Sequence, residues 1–307
     1  YNEWQEKLSR DYLRERFEES EDFGSLYELH YFDGKNDSVL SDAVADDDLE
    51  YASDSAIIMY ATFDAEKVEK IKLSKIAEME SGMYDELEDR LFAGVNLYVA
   101  SKDKATELGL EVTEEDDMSS FKMNSAGSRI MFMRDVDEEK DEGDLYLIDV
   151  KNGQPSEAKL YDEDVHSYAG IRFAGDHIIY YKNYKDGKAD IYIDGKEADF
   201  DANTSTSYNK DQDKIYFYVD YDSDKSQGTL RVYKNGKTET IGNDIHTFRL
   251  IGDDELVYIG DYSQKSYKGD LYIYRKGKAN KVDEDVVALT MGVTDRKYQG
   301  GLNYYGW

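Results

Sequence analysis

Along most of the chain, apolar and polar residues alternate over short stretches and then give way to Asp, Asn, Gly and Lys. That is the pattern of half-buried strands joined by tight turns. One unit recurs: a Leu or Ile, usually followed by Tyr, then a turn. It reads Leu26-Tyr27 with Asp33-Gly34, Leu97-Tyr98 with Lys102-Asp103, and Leu145-Tyr146 with Asn152-Gly153. It continues as Ile191-Tyr192 with Asp194-Gly195, Leu230-Arg231 with Asn235-Gly236, and Leu271-Tyr272 with Lys276-Gly277. Asn-Gly and Asp-Gly suit type I′ hairpins, whose two central residues both need positive φ. Ahead of each hairpin lies a more apolar strand: 57–60, 130–133, 178–181, 215–218 and 256–259. Several of these close on an acid or amide, at Asp135, Asn183, Asp220 and Asp261. A third, more polar strand precedes those, at 49–51, 120–122, 167–169, 207–209, 247–249 and 287–289.

Four strands every 39 to 48 residues, the spacing of the anchors from Leu97 to Leu271, is the period of a propeller blade. The pattern predicts an all-β, six-bladed β-propeller in one domain, 1–307. Blades fall at 42–112, 113–161, 162–198, 199–242 and 243–282, and residues 25–41 join 286–307 to complete a sixth and leave no open edge. Two helices interrupt it. Trp4, Leu8, Tyr12 and Phe17 place one over 2–19, before the first strand. Val68, Ile71, Ile76, Met79, Met83, Leu87 and Leu91 place the other over 64–92, which accounts for the 71 residues between Leu26 and Leu97.

Composition sharpens the picture. Twenty-eight tyrosines, 23 glycines and a single proline fit many short strands and turns. With 68 acidic against 38 basic residues, the net charge of −30 disfavours nucleic acid and anionic lipid as partners. The absence of cysteine removes disulfides, thiolate catalysis and zinc–thiolate sites. No apolar run is long enough to span a bilayer. The chain opens at Tyr1 rather than Met, so any anchor is expected upstream.

The aromatic pairs followed by an acid, in Phe217-Tyr218-Val219-Asp220 and Tyr258-Ile259-Gly260-Asp261, loosely resemble the YWTD strand of six-bladed low-density-lipoprotein-receptor propellers. The Gly-Asp-Leu-Tyr hairpins, the inserted helix and the closing Tyr304-Tyr305-Gly306-Trp307 resemble the extracytoplasmic propeller of uncharacterised clostridial zinc-ribbon membrane proteins. That resemblance implies a cell-surface domain held by an upstream membrane helix. It implies no activity.

Candidate chemistry is sparse. His166 and His246 occupy similar places in alternate repeats, yet Leu49, Ser119, Thr206 and Val286 stand in the others, so no histidine ring forms. No serine sits in a nucleophile elbow. Paired carboxylates can hydrolyse glycosides, but 68 acids make any such pair unspecific. Asp220, Asp222 and Asp224, and likewise Asp135 and Asp137, alternate as in a calcium loop, but Lys225 stands where an EF-hand needs Gly. These are weak sites for Ca2+, and no other cofactor is expected. The interblade links gather acids, among them Asp46, Asp47, Asp48, Glu115, Asp116, Glu163, Asp201 and Glu284, while the hairpins carry lysines such as Lys196, Lys237 and Lys278. One acidic face and one lysine-dotted face follow. The function expected is a non-catalytic, extracytoplasmic binding or sensing module for a protein or glycan partner, with a cationic partner suited to the acidic face. The alternatives are a carboxylate-based glycan-acting enzyme and a structural domain of a membrane-anchored surface protein.

Overall fold

The computed structural model describes residues 27–44, 50–63, 95–102, 104–110, 120–137, 139–167 and 169–289. Among them there is no α-helix, and the fold is all-β. The helices expected over 2–19 and 64–92, and the closing strand expected at 301–305, lie outside the described residues. The chain divides into two compact units, residues 1–163 and 164–307.

The first unit opens with a hairpin of β1 (Tyr27–Phe32) and β2 (Asp37–Val44). A four-stranded antiparallel meander follows: β3 (Glu50–Tyr51), β4 (Ile57–Phe63), β5 (Val95–Ser101) and β6 (Lys104–Glu107). The next comprises β7 (Lys122–Met123), β8 (Arg129–Asp137), β9 (Glu142–Lys151) and β10 (Gln154–Pro155), with β11 (Lys159–His166) also on β9. The second unit is one continuous ten-stranded run. It comprises β12 (Arg172–Ala174), β13 (His177–Lys185), β14 (Lys188–Ile193), β15 (Lys196–Tyr208), β16 (Lys214–Asp222), β17 (Gln227–Lys234), β18 (Lys237–Gly252), β19 (Glu255–Ser263), β20 (Lys268–Arg275) and β21 (Lys278–Val286).

Register resolves that run into three meanders. Ala202 of β15 pairs with Ala189 behind it and Val219 ahead; Ile245 of β18 pairs with Gly228 behind and Gly260 ahead. Each long strand is therefore the fourth strand of one repeat and the first strand of the next. Among the described residues the fold comprises five four-stranded repeats and the β1–β2 hairpin, which has the form of a repeat's last two strands.

Packing explains the sequence pattern. Successive sheets stack face to face: Ile179, Tyr181 and Ile191 meet Ile215, Phe217 and Val219, and Leu230 and Val232 meet Leu256 and Tyr258. A strand covered on both faces must be apolar throughout, as Ile130-Met131-Phe132-Met133 is, at 0–1% exposure. The recurrent tyrosine of the third strand lies across from a second-strand aromatic. Tyr60–Tyr98, Phe132–Tyr146, Tyr180–Tyr192 and Tyr258–Tyr272 stack with centroids 4.9–5.6 Å apart. In the remaining repeat Phe217 faces Arg231 instead.

Turns and bulges repeat as faithfully as strands. Asn152/Gly153, Asp194/Gly195, Asn235/Gly236 and Lys276/Gly277 all have both φ values positive, as type I′ hairpins require. In four of the five repeats the second strand breaks register at a left-handed residue, Asp135, Asn183, Asp220 or Asp261, with φ of 52–55°, whereas β4 pairs with β5 without a break. Asp and Asn tolerate that region better than other side chains do. The bulge thrusts its backbone at the facing strand, where a Cβ on Gly269 would meet Gly260 O at 2.6 Å. Hence the glycine of Gly-Asp-Leu-Tyr.

Three expectations are corrected. In the first hairpin Tyr27 pairs with Val44 as Gly228 does with Ile245, so the anchor is Leu29 rather than Leu26, and His30 takes the tyrosine position. The first strand of the third repeat is Arg172–Ala174, not 167–169, because Ser167–Gly170 forms a turn with Gly170 left-handed. Residues 287–289 join no strand.

Candidate functional site

At one end of the second unit, acids line every junction. The fourth strands carry a second set of left-handed residues, Asp164, Asp201, Asp244 and Asp285, with φ of 50–58°, each followed by an apolar residue: Val165, Ala202 and Ile245, all at 0% exposure, and Val286. The shared pairings of Ala202 and Ile245 place Asp201 at the same end as Asp220, and Asp244 at the same end as Asp261. All four are exposed. Asp201 and Glu284 thus sit inside β15 and β21, and Glu163 inside β11, rather than in connecting links. The reason is the bulge, which lets an acid occupy a strand without a β conformation. Asp46, Asp47, Asp48, Glu115 and Asp116 lie outside the described residues. Lysines reach into this end too. Lys268 Nζ lies 3.8 Å from Asp285, and Lys281 Nζ lies 2.7 Å from both Asp270 and Glu284.

The two acid-dense turns are closed by lysine. Asp222 Oδ1 accepts the Lys225 N–H at 3.1 Å while Oδ2 meets Lys225 Nζ at 3.0 Å. Asp137 likewise accepts the Glu139 and Lys140 N–H groups, at 3.0 and 3.3 Å, and meets Lys140 Nζ at 2.8 Å. These lysines hold both carboxyls below the ordinary aspartate range. Asp135 and Asp220 are the left-handed bulge residues, and Asp224 is exposed. Among the described residues, no three His, Asp or Glu side chains converge as a metal set.

The histidines are held by neighbours. His166 Nδ1 accepts the Ala169 N–H at 3.1 Å, and its ring lies 4.4 Å from that of Tyr184. His246 Nδ1 donates to Ser226 O at 2.7 Å and stacks on Tyr262 at 3.7 Å, 4° from parallel. His177 pairs with Asp194 at 2.6 Å.

The first strands hold what the sequence pattern passed over. Register aligns Glu50, Lys122, Arg172, Ser207 and Arg249, each opposite an apolar second-strand residue. Lys122 pairs with Glu50 at 3.3 Å. Arg172 lies over the Tyr181 ring and donates to Ala169 O at 3.2 Å, and Arg249 donates to Phe248 O at 2.9 Å. The signal available in the sequence was negative: segments 169–174, 203–209 and 246–252 contain no Asp or Glu.

No protein family and no curated protein matches the chain by sequence. Among solved structures it is similar to Porphyromonas gingivalis dipeptidyl peptidase 4 at 12% identity and TM-score 0.48, over 83% of this chain and 42% of that one. It is similar to Pyrococcus horikoshii acylaminoacyl peptidase at 17% identity and TM-score 0.38, over 81% and 40%. For TolB from Acinetobacter baumannii the figures are 12%, 0.33, and 82% against 58%. The chain thus spans less than two thirds of each of these structures.

Proposed function

We propose that the chain is a six-bladed β-propeller acting as a non-catalytic, extracytoplasmic binding or sensing module, whose acidic end receives a cationic protein or glycan. The observation that carries the reading is the recurrence of exposed left-handed aspartates at equivalent bulges, Asp201, Asp244 and Asp285, at one end of the second unit. Like charges so grouped attract a cationic partner by long-range steering. Six blades are supported by five repeats plus a hairpin that has the form of a repeat's last two strands. They are supported also by the last repeat: Leu271 and Ile273 are half-buried and Val282 is 55% exposed, whereas Leu230 of the preceding repeat is fully buried. The closing strands that six blades require fall within 286–307, of which 290–307 lie outside the described residues. The surface location rests on the clostridial resemblance.

The triple substitution Asp201→Asn, Asp244→Asn and Asp285→Asn tests this, because Asn keeps the left-handed backbone and removes the charge. On a peptide and glycan array the native protein should retain cationic probes in a salt-sensitive manner, and the triple variant should lose most of that retention. Equal retention by both would sink the reading. Assays against glycosides, esters and peptides should show no turnover; hydrolysis abolished by changing one carboxylate would replace it with an enzyme.

A further inference from the structure

We propose that the first strands of the second unit form an oxyanion site, centred on Arg249 and the Tyr218 hydroxyl, for a small ligand bearing a carboxylate or phosphate. The charge distribution points there first. Segments 169–174, 203–209 and 246–252 total twenty residues, and at the chain's average of 68 acids in 307 they would hold four or five. They hold none, and carry Arg172, His246 and Arg249.

The arginines there are also treated differently from three others. Arg129, Arg231 and Arg275 each lie within 4 Å of a carboxylate, at 3.9, 3.2 and 2.9 Å. Arg172 uses its fork on Ala169 O and Thr206 Oγ1, Arg249 donates to Phe248 O, and neither has a carboxylate partner among the described residues. Both are half-buried. At Arg249, a half-buried guanidinium with no carboxylate partner among the described residues leaves donors of its planar fork for an external anion.

Tyr218 supplies an independent observation. Its structural counterpart one repeat earlier, Tyr181, donates its hydroxyl to Thr204 O at 2.9 Å. The Tyr218 hydroxyl is buried and has no hydrogen-bond partner among the described residues, an unfavourable state for a polar group. Its ring is set edge-on to Tyr221 and Phe248, at 5.7 and 5.8 Å. Where Arg172 covers Tyr181, the aligned residue beside Tyr218 is Ser207, too short to do the same. Burial raises the Tyr218 pKa while nearby Arg249 opposes the rise, so the phenol stays neutral and offers a proton donor. A guanidinium and an unused hydroxyl donor together match an oxyanion and repel a cation. Every residue of this site lies between 164 and 289, so its geometry does not depend on closure of a ring.

The test is thermal melting and calorimetric titration with inorganic phosphate and, separately, citrate, each against sodium chloride at matched ionic strength. The matched salt is essential, since screening alone will stabilise a chain of net charge −30. Either anion should raise the melting temperature above the chloride control; phosphate alone or citrate alone identifies the headgroup. Arg249→Gln should abolish the excess. Arg249→Lys keeps the charge without the fork and should weaken binding, which covers the case of a poorly folded glutamine variant. Tyr218→Phe should weaken binding about fivefold to tenfold while leaving the melting temperature in chloride unchanged or higher, because it deletes an unsatisfied hydroxyl. A purely structural tyrosine would not separate those two readouts. The proposal fails if neither anion exceeds chloride, or if Arg249→Gln responds as the native protein does.

Discussion

An aspartate held at positive φ serves the backbone before it serves any ligand, and this decides how the acids are understood one by one. At Asp220, with φ of 52°, glycine adopts the same conformation without strain and a β-branched residue does not. Asp220→Gly should therefore shift the urea midpoint little, and Asp220→Val should cost about 1–2 kcal/mol. Equal effects would mean that the side chain, not the conformation, matters. Asn124 is the buried counterpart of this logic. It is 0% exposed, and its Oδ1 accepts the N–H groups of Ser128 and Arg129 at 2.8 and 3.0 Å while Nδ2 donates to Ser128 Oγ. Asn209 repeats the arrangement with Asp213 and Lys214. Asn124→Ala strands two part-buried donors and should cost about 1–3 kcal/mol by denaturant unfolding. For the acid-dense turns, Lys140 and Lys225 already occupy the position a cation would take. Calcium should accordingly raise the melting temperature no more than sodium chloride of equal ionic strength, and a specific gain would show that it displaces the lysine.

At the scale of elements, the strand period and the turns were legible because each rests on a local rule. Asn-Gly marks a type I′ turn, and an apolar run marks a strand covered on both faces. The bulges were half legible: the acid at Asp135, Asp220 or Asp261 was visible as a recurrent strand ending, while its left-handed backbone was not. Register in the first hairpin was lost because Leu26 and Leu29 both satisfy the same apolar pattern, and only pairing with Val44 chooses between them. The arginines of the first strands were illegible for a different reason. Their meaning lies in the carboxylates they lack, and sequence does not display partners. Arg231 shows the converse. It stands where other repeats place tyrosine, and its Nε lies 3.2 Å from Asp199, whose side chain is 11% exposed. Arg231→Tyr restores the aromatic stack but leaves a nearly buried carboxylate unpaired, and should destabilise by about 1–3 kcal/mol. Adding Asp199→Thr should recover most of that loss. A double variant no better than the single would mean that Arg231 contributes through packing rather than charge.

For the whole molecule, the abundance of tyrosine that builds the sheets sets how stability responds to alkali. Burial raises the pKa of Tyr60, Tyr181, Tyr218 and Tyr258, and pushes Tyr216, which is also flanked by Asp254 and Asp213, up to about 12. Tyr272 reaches about 12 as well, through burial and the hydrogen bond it donates to Asp261 at 2.9 Å. An unfolded chain releases these protons near the ordinary tyrosine value of 10. Between pH 10 and 12 the native state therefore binds more protons than the unfolded state, and stability must fall as pH rises. The contribution is fully present below pH 10 and is lost as pH passes 12. Tyr216 alone, raised from the ordinary value to about 12, contributes on the order of 1–3 kcal/mol. The urea midpoint should hold steady from pH 8 to 9.5 and decline steeply above pH 10, with phenolate absorbance lagging behind that of free tyrosine and rising together with unfolding. Tyr216→Phe keeps the ring and removes the proton, so it should flatten the decline measurably. A phenolate signal that appears near pH 10 while the fold persists would mean that these hydroxyls reach solvent, and that the stacked sheets open more easily than their packing implies.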